Sequence, residues 1–140
     1  MSDDTHIFIY LKQIMKNIRT HINENLKEWD LTFSQLHVLK CLDDHGGHMT
    51  QRALENSLNV SHPTVVGLVS RLEKNGFVTS APDKNDHRHK IITLTDKAVS
   101  HHASATEQRL QNEAVMLSGL DDDEIRTLEN LLKKIIDNIS

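Results

Sequence analysis
The chain has 140 residues, of which 37% are hydrophobic and 26% charged, with a net charge of −4; that suits one compact domain, or a small domain with added helices. No apolar run approaches the ~18 residues needed to span a bilayer, the polar start Met1-Ser2-Asp3-Asp4 lacks the layout of a signal peptide, and a single cysteine excludes an intrachain disulfide framework and a multi-cysteine zinc site. The expectation is a soluble cytoplasmic protein with no membrane partner.

The apolar positions Ile7, Leu11, Ile14, Met15, Ile18, Ile22 and Leu26 recur at helical spacing and predict a long amphipathic helix over residues ~5–28. Thr32 and Gln35 have capping-box spacing, with Leu31 and Leu36 placed to staple across it, so a second helix starts there. Leu36, Leu39, Cys41 and Leu42 supply its buried side until Asp43-Asp44-His45-Gly46-Gly47 breaks it. His48-Met49 reads as an extended scrap, and Thr50 caps a short helix running to about Leu58. The polar turn Asn59-Val60 leads into Ser61 as a serine cap and Pro63 in the first turn, where a missing N–H has no intrahelical partner to lose.

That helix buries Val65, Leu68, Val69 and Leu72 and stops at Asn75-Gly76. Phe77–Ala81 and Lys90–Leu94 are extended runs joined by a polar hairpin loop, Pro82 to Arg88. Thr95 or Asp96 starts another long helix with a stripe at Val99, Ala103, Thr106, Leu110, Ala114 and Leu117, ended by Ser118-Gly119. Asp121 and Glu124 repeat the capping-box spacing ahead of a last helix carrying Ile125, Leu128, Leu131, Leu132, Ile135, Ile136 and Ile139 on one face. The acidic run Asp121-Asp122-Asp123-Glu124 is then the negative first turn of that helix, interacting with its dipole rather than holding a cation. The first helix and the last two carry more apolar surface than the middle of the chain can cover, which predicts a dimer built from both termini.

Charge is segregated: residues 1–59 are net −2, residues 60–97 net +2 and residues 98–140 net −4. A basic centre between acidic flanks fits a local polyanion-binding face. Two short helices joined by a tight turn, then a positively flanked hairpin, describe a winged helix-turn-helix. Such a helix fits the major groove and meets base edges with its N-terminal turns, while a basic hairpin tip reaches the neighbouring minor groove.

The stretch Val60–Val78, VSHPTVVGLVSRLEKNGFV, and the stretch Asp86–Thr95, DHRHKIITLT, resemble the MarR family of bacterial regulators. The second carries the family's wing pattern: aspartate, any residue, arginine, a spacer, then alternating apolar residues ending in Leu-Thr. The order of helices is similar over essentially the whole chain. The resemblance implies a mainly α protein, with an N-terminal dimerisation helix (residues 1–30), a winged helix-turn-helix domain (31–97) and C-terminal dimerisation helices (98–140). It implies a homodimeric transcriptional regulator, a repressor on a pseudo-palindromic double-stranded DNA operator, relieved by a small-molecule effector bound between the dimer helices and the winged domain. By position, Ser61, His62, Pro63, Thr64, Val65 and Gly67 become the groove-facing start of the reading helix, with Ser70 and Arg71 near the phosphates. Asp86 holds Arg88, which enters the minor groove, and Lys84, His87 and Lys90 support the wing electrostatically.

The chain departs from the family pattern at three places. Glu55 stands one place after Leu54 where a small residue is usual, which predicts a slightly opened helix pair or a carboxylate reaching solvent. Asn59 replaces the turn glycine and tolerates the left-handed conformation. Asn85 stands where the wing often carries another arginine. Cys41 lies beside Leu42 on the packed side of its helix without an adjacent cation, so it reads as a structural thiol. His101 and His102 are adjacent and point ~100° apart on a helix, poorly placed to chelate one ion. His101 is expected to face away from the apolar stripe with His102 flanking it, and the histidines to be solvated. A metal-responsive regulator using His6, His21, His37 or His45, and a helical module binding protein rather than DNA, are the alternatives. No phosphate loop, nucleophile elbow or catalytic Cys-His-Asp set is visible, so no enzyme and no cofactor is expected.

Overall fold
A computed structural model describes residues 6–140; the acidic Met1–Asp4 start and the first residue of the expected helix at 5 lie outside the described residues. The elements run α1 (Ile7–Glu28), α2 (Phe33–Asp44), β1 (His48–Thr50), α3 (Gln51–Leu58), α4 (His62–Lys74), β2 (Val78–Pro82), β3 (Lys90–Leu94), α5 (Asp96–Met116) and α6 (Asp122–Ile139). The protein is mainly helical with a small antiparallel sheet of strand order β1-β3-β2, the winged helix-turn-helix arrangement. It divides into two compact units, one up to His102 and one from Ala103 onward. No helix among the described residues is long and apolar enough to cross a membrane.

In the first unit, local chemistry sets most boundaries. Thr32 accepts from the Gln35 backbone N–H at 3.2 Å while Gln35 accepts from the Thr32 N–H at 3.1 Å, the reciprocal cap that starts α2. Gly46 and Gly47, at φ 84° and 94°, turn the chain out of α2 in a conformation that a β-carbon would strain. The scrap at His48 is a true strand: β1 pairs with β3, placing Met49 opposite Ile92, both buried. Thr50 then caps α3 through the Ala53 N–H at 3.0 Å.

Asn59 adopts the left-handed conformation at φ 53°, ψ 46°, so the turn into α4 is made without glycine. Ser61 sits at the N-cap of α4 in extended conformation but does not cap with its side chain; its hydroxyl bonds the Thr64 hydroxyl at 2.8 Å instead. The core is drawn from every element of this unit except most of α1: Val38 and Leu42 from α2, Leu54 from α3, Val65, Val69 and Leu72 from α4, and Phe77, Val78 and Ile92 from the sheet and its approach. Cys41 is buried with them, its thiol donating to the Ser57 hydroxyl at 3.3 Å, as a structural thiol would.

The start of α5 departs from the expected stripe. Ala98 and His101 are its buried residues, whereas Val99 is 60% exposed. His101, expected to face solvent, is 3% exposed. It packs edge-on against Trp29 (5.1 Å) and Phe77 (6.2 Å), and its Nε2 donates to the Asn25 side-chain oxygen at 3.2 Å. The Trp29–Phe77 pair makes a niche that a polar ring can enter because one nitrogen finds a partner inside. Burial, with a smaller contribution from His102 alongside, pushes the His101 pKa down from the ordinary imidazole value.

The unfolded chain therefore binds a proton more readily than the folded one. Stability from this group is complete above the ordinary pKa near 6.5 and falls as pH drops below it. Urea unfolding is expected to show a lower midpoint at pH 5.5 than at pH 7.5. The gap should narrow in His101→Gln, which still donates to Asn25 but does not titrate; an unchanged gap would assign the loss to other groups.

α1 buries only Asn25 and Leu26 near its end, leaving Ile7, Phe8, Ile9, Tyr10, Ile14, Met15 and Ile22 exposed. In the second unit, Asp121 and Glu124 cap α6 reciprocally, at 2.8 and 3.1 Å, and Asp122, Asp123 and Glu124 fill its first turn, where carboxylates favour the helix dipole. No residue of α6 is buried, and Leu128, Leu131, Leu132, Ile135, Ile136 and Ile139 are all exposed.

Candidate nucleic-acid interface
α3 and α4 close on Leu54, Val65, Val69 and Leu72, all buried, which fixes what the opposite face of α4 must show. Helical spacing places Ser61, His62, Pro63, Thr64, Val66, Ser70 and Arg71 outward, and all are exposed. Val65 is the exception to the expected groove-facing set: it is completely buried and positions the helix from below rather than meeting a ligand. Gly67 is partly exposed, and a β-carbon added there would meet nothing within 4 Å. A mid-helix glycine costs about 1 kcal/mol relative to alanine, and packing inside the protein gives no reason for it.

Glu55 is mostly covered and hydrogen-bonded rather than reaching free solvent. Its Oε1 accepts from His62 Nδ1 across the turn, and its side chain is only 17% exposed against 66% for His62. Sequence spacing could not show this link, because the two residues belong to different helices.

The wing is built on the β2–β3 register, which runs from Val78 opposite Leu94 to Pro82 opposite Lys90. The loop beyond is closed by the Asp83 N–H donating to the His89 carbonyl at 2.8 Å and the His89 N–H to the Asp86 carbonyl at 3.0 Å. Inside it the Asp86 carboxylate accepts from the Arg88 backbone N–H at 3.1 Å and from Arg88 Nε and Nη2 at 3.0 Å each, with His89 Nε2 at 3.4 Å. Asp86 thus holds Arg88, the relation expected from the sequence. The arginine bonds keep the Asp86 carboxyl below its usual range and raise the guanidinium in turn. Two of five guanidinium N–H groups are engaged, so three are left to bind elsewhere, on a side chain that is 87% exposed.

Lys84, His87 and Lys90 are also exposed on the wing, and neither Lys84 nor Lys90 makes an ion pair among the described residues. The base of the wing is fastened to the end of α4. Ser80 donates to Glu73 at 3.0 Å, Thr95 Oγ1 to the Gly76 carbonyl at 2.6 Å, and Lys97 Nζ to the Asn75 carbonyl at 2.7 Å. The helix α4 and the wing are therefore held in one frame. Where α1 gives way to α2, a cleft of about 250 Å³ is lined by Asp30, Leu31, Thr32, Gln35, Arg71, Lys74 and Asn75. Among the described residues, no three His, Cys, Asp or Glu side chains gather in a way that would hold a metal ion.

A sequence model described as the MarR family matches residues 31–90. An uncharacterized HTH-type transcriptional regulator, YwoH of Bacillus subtilis (strain 168), is 30% identical over 131 residues, covering 94% of each chain. Among solved structures, S. aureus MepR in a complex with DNA superposes with a TM-score of 0.81 at 25% identity, over 92% of this chain and 96% of that one. The YusO protein from Bacillus subtilis shares the fold with a TM-score of 0.87 at 22% identity, over 98% and 99% of the two chains. With its winged helix-turn-helix and a relative matched over nearly its full length, the chain belongs to the MarR family of transcriptional regulators.

Proposed function
We propose that two copies of this chain, joined through their terminal helices, bind a pseudo-palindromic DNA operator and repress transcription in the cytoplasm until a small molecule releases them. The observation that carries the DNA reading is Arg88, an exposed guanidinium held by Asp86 at the tip of a wing fastened to the reading helix. A cation presented this way suits the negative potential of a narrow minor groove. Ser61, His62, Pro63, Thr64 and Gly67 then face base edges. The unfilled space at Gly67 has a use if a DNA strand passes close to it. Ser70 and Arg71 approach phosphates, and Lys84, His87 and Lys90 add to the wing's field. MepR, whose fold this chain shares, has been solved bound to DNA.

A geometric argument supports release by an effector. Two reading heads must fit half-sites roughly one helical turn apart, ~34 Å, so a small change in their separation misplaces one of them. The cleft carrying Arg71 and Lys74 beside α4 offers an effector a place in contact with the reading helix itself. Selection from random oligonucleotides is the test: the protein should enrich an inverted repeat. On that repeat Arg88→Ala should bind about 10- to 100-fold more weakly, the loss of a 1–3 kcal/mol groove contact, with a shallower salt dependence. No enriched sequence would end the reading.

A further inference from the structure
We propose that Glu55 is a positioning residue: it fixes the His62 ring so that Nε2 reads an exocyclic amino group, adenine N6 or cytosine N4, in the major groove. The inference rests on the DNA-binding reading above and deepens it at one base pair. Glu55 Oε1 and His62 Nδ1 are hydrogen-bonded across the helix-turn-helix. An ionised carboxylate has lone pairs and no proton, so the hydrogen in this bond sits on Nδ1. A neutral imidazole carries one ring proton; once it is committed to Nδ1, Nε2 is left as a bare acceptor.

The arrangement is oriented as well as protonated. Glu55 is mostly covered while His62 is mostly exposed, so the carboxylate is the fixed end and the ring the presented one. His62 is the first residue of α4, in the turn that meets base edges. In the major groove an acceptor finds its partner in the amino groups of adenine and cytosine, while guanine and thymine edges present O6, N7 and O4, which are themselves acceptors. Without Glu55 the ring would populate both tautomers and several rotamers, and would offer Nε2 as donor or acceptor alike. The carboxylate would otherwise repel nearby phosphates, and the histidine bond offsets that cost. No other charged side chain pairs with either residue among the described residues.

The experiment measures the base preference of the intact protein at every position of its selected half-site, at about pH 8. Wild type is expected to prefer adenine or cytosine at one position by about tenfold, the worth of one good hydrogen bond to a base; which base is enriched tells the two apart. Replacing that base by an analogue without the amino group, purine for adenine or 2-pyrimidinone for cytosine, should remove the preference. Glu55→Ala should flatten the profile to within about twofold at that position only. His62→Ala should flatten the same position, and the double variant should lose nothing further there, because Glu55 acts through His62. A Glu55→Ala profile matching wild type, or additive losses in the double variant, overturns the inference while leaving DNA binding intact. A wild type that selects no sequence overturns both together.

Discussion

Ile135→Asp is expected to leave α6 helical and to turn the proposed dimer into monomers. Among the described residues nothing buries α6: Leu131 is 50% exposed, Ile136 56% and Ile139 80%. A helix with such a stripe is stable in water when the stripe is covered, and a second copy of the same stripe is self-complementary about a two-fold axis. An aspartate at its middle would be buried twice, once from each copy, with no cation opposite. Uncompensated buried charges cost about 3–5 kcal/mol each, more than a modest dimer retains.

Sedimentation velocity would show the wild type at twice the mass of the chain and the variant at the mass of one. Operator affinity should fall by about 10²- to 10⁴-fold, since the second half-site is no longer held at high effective concentration. A wild type that sediments as one chain, or a variant that remains paired, removes the two-headed reading. Helicity by circular dichroism separates loss of pairing from loss of the helix.

The second large effect is on stability. Phe77 is completely buried between the end of α4 and the start of β2. Its ring stands 6.2 Å from His101 and 6.5 Å from Trp29, with Lys97 Nζ 4.5 Å above it. Its backbone donates to the Leu72 carbonyl at 2.9 Å and accepts from the Thr95 N–H at 3.0 Å. Phe77→Ala keeps those backbone bonds and deletes the ring, a truncation that costs about 3–5 kcal/mol in a packed core. Against a total of about 5–15 kcal/mol for an ordinary domain, the variant should unfold at much lower urea or not fold at all at 37 °C. A loss below about 1 kcal/mol would mean that the niche collapses around the gap.

The parts of the fold legible in the sequence are those fixed by short-range chemistry. Thr32 with Gln35, Asp121 with Glu124, and Asn75-Gly76 each mark a helix end, and the structure has helix ends there. The aspartate-arginine clasp of the wing, implied by the family resemblance, is equally local, its partners lying two positions apart. What was not legible depends on partners distant in the chain. The strand at His48–Thr50 is too short to carry a period and exists because β3 pairs with it. The buried phase of α5 runs through Ala98 and His101 rather than Val99, because the niche left by Trp29 and Phe77, not hydrophobicity, selects the side chain that enters. Val65 satisfied both the apolar period and the groove-facing turn, and only burial could choose between them. Glu55 looked like a flaw in the helix pair until its partner on the next helix was in view.

The division of α4 into a hidden side, Val65, Val69 and Leu72, and an open side, Thr64, Val66 and Ser70, has a consequence over generations. Substitutions on the open side leave the foundation of the domain untouched. A duplicated gene can therefore drift toward a new target site one letter at a time, with each intermediate still folding, and paralogues can diverge in regulon while keeping the same scaffold.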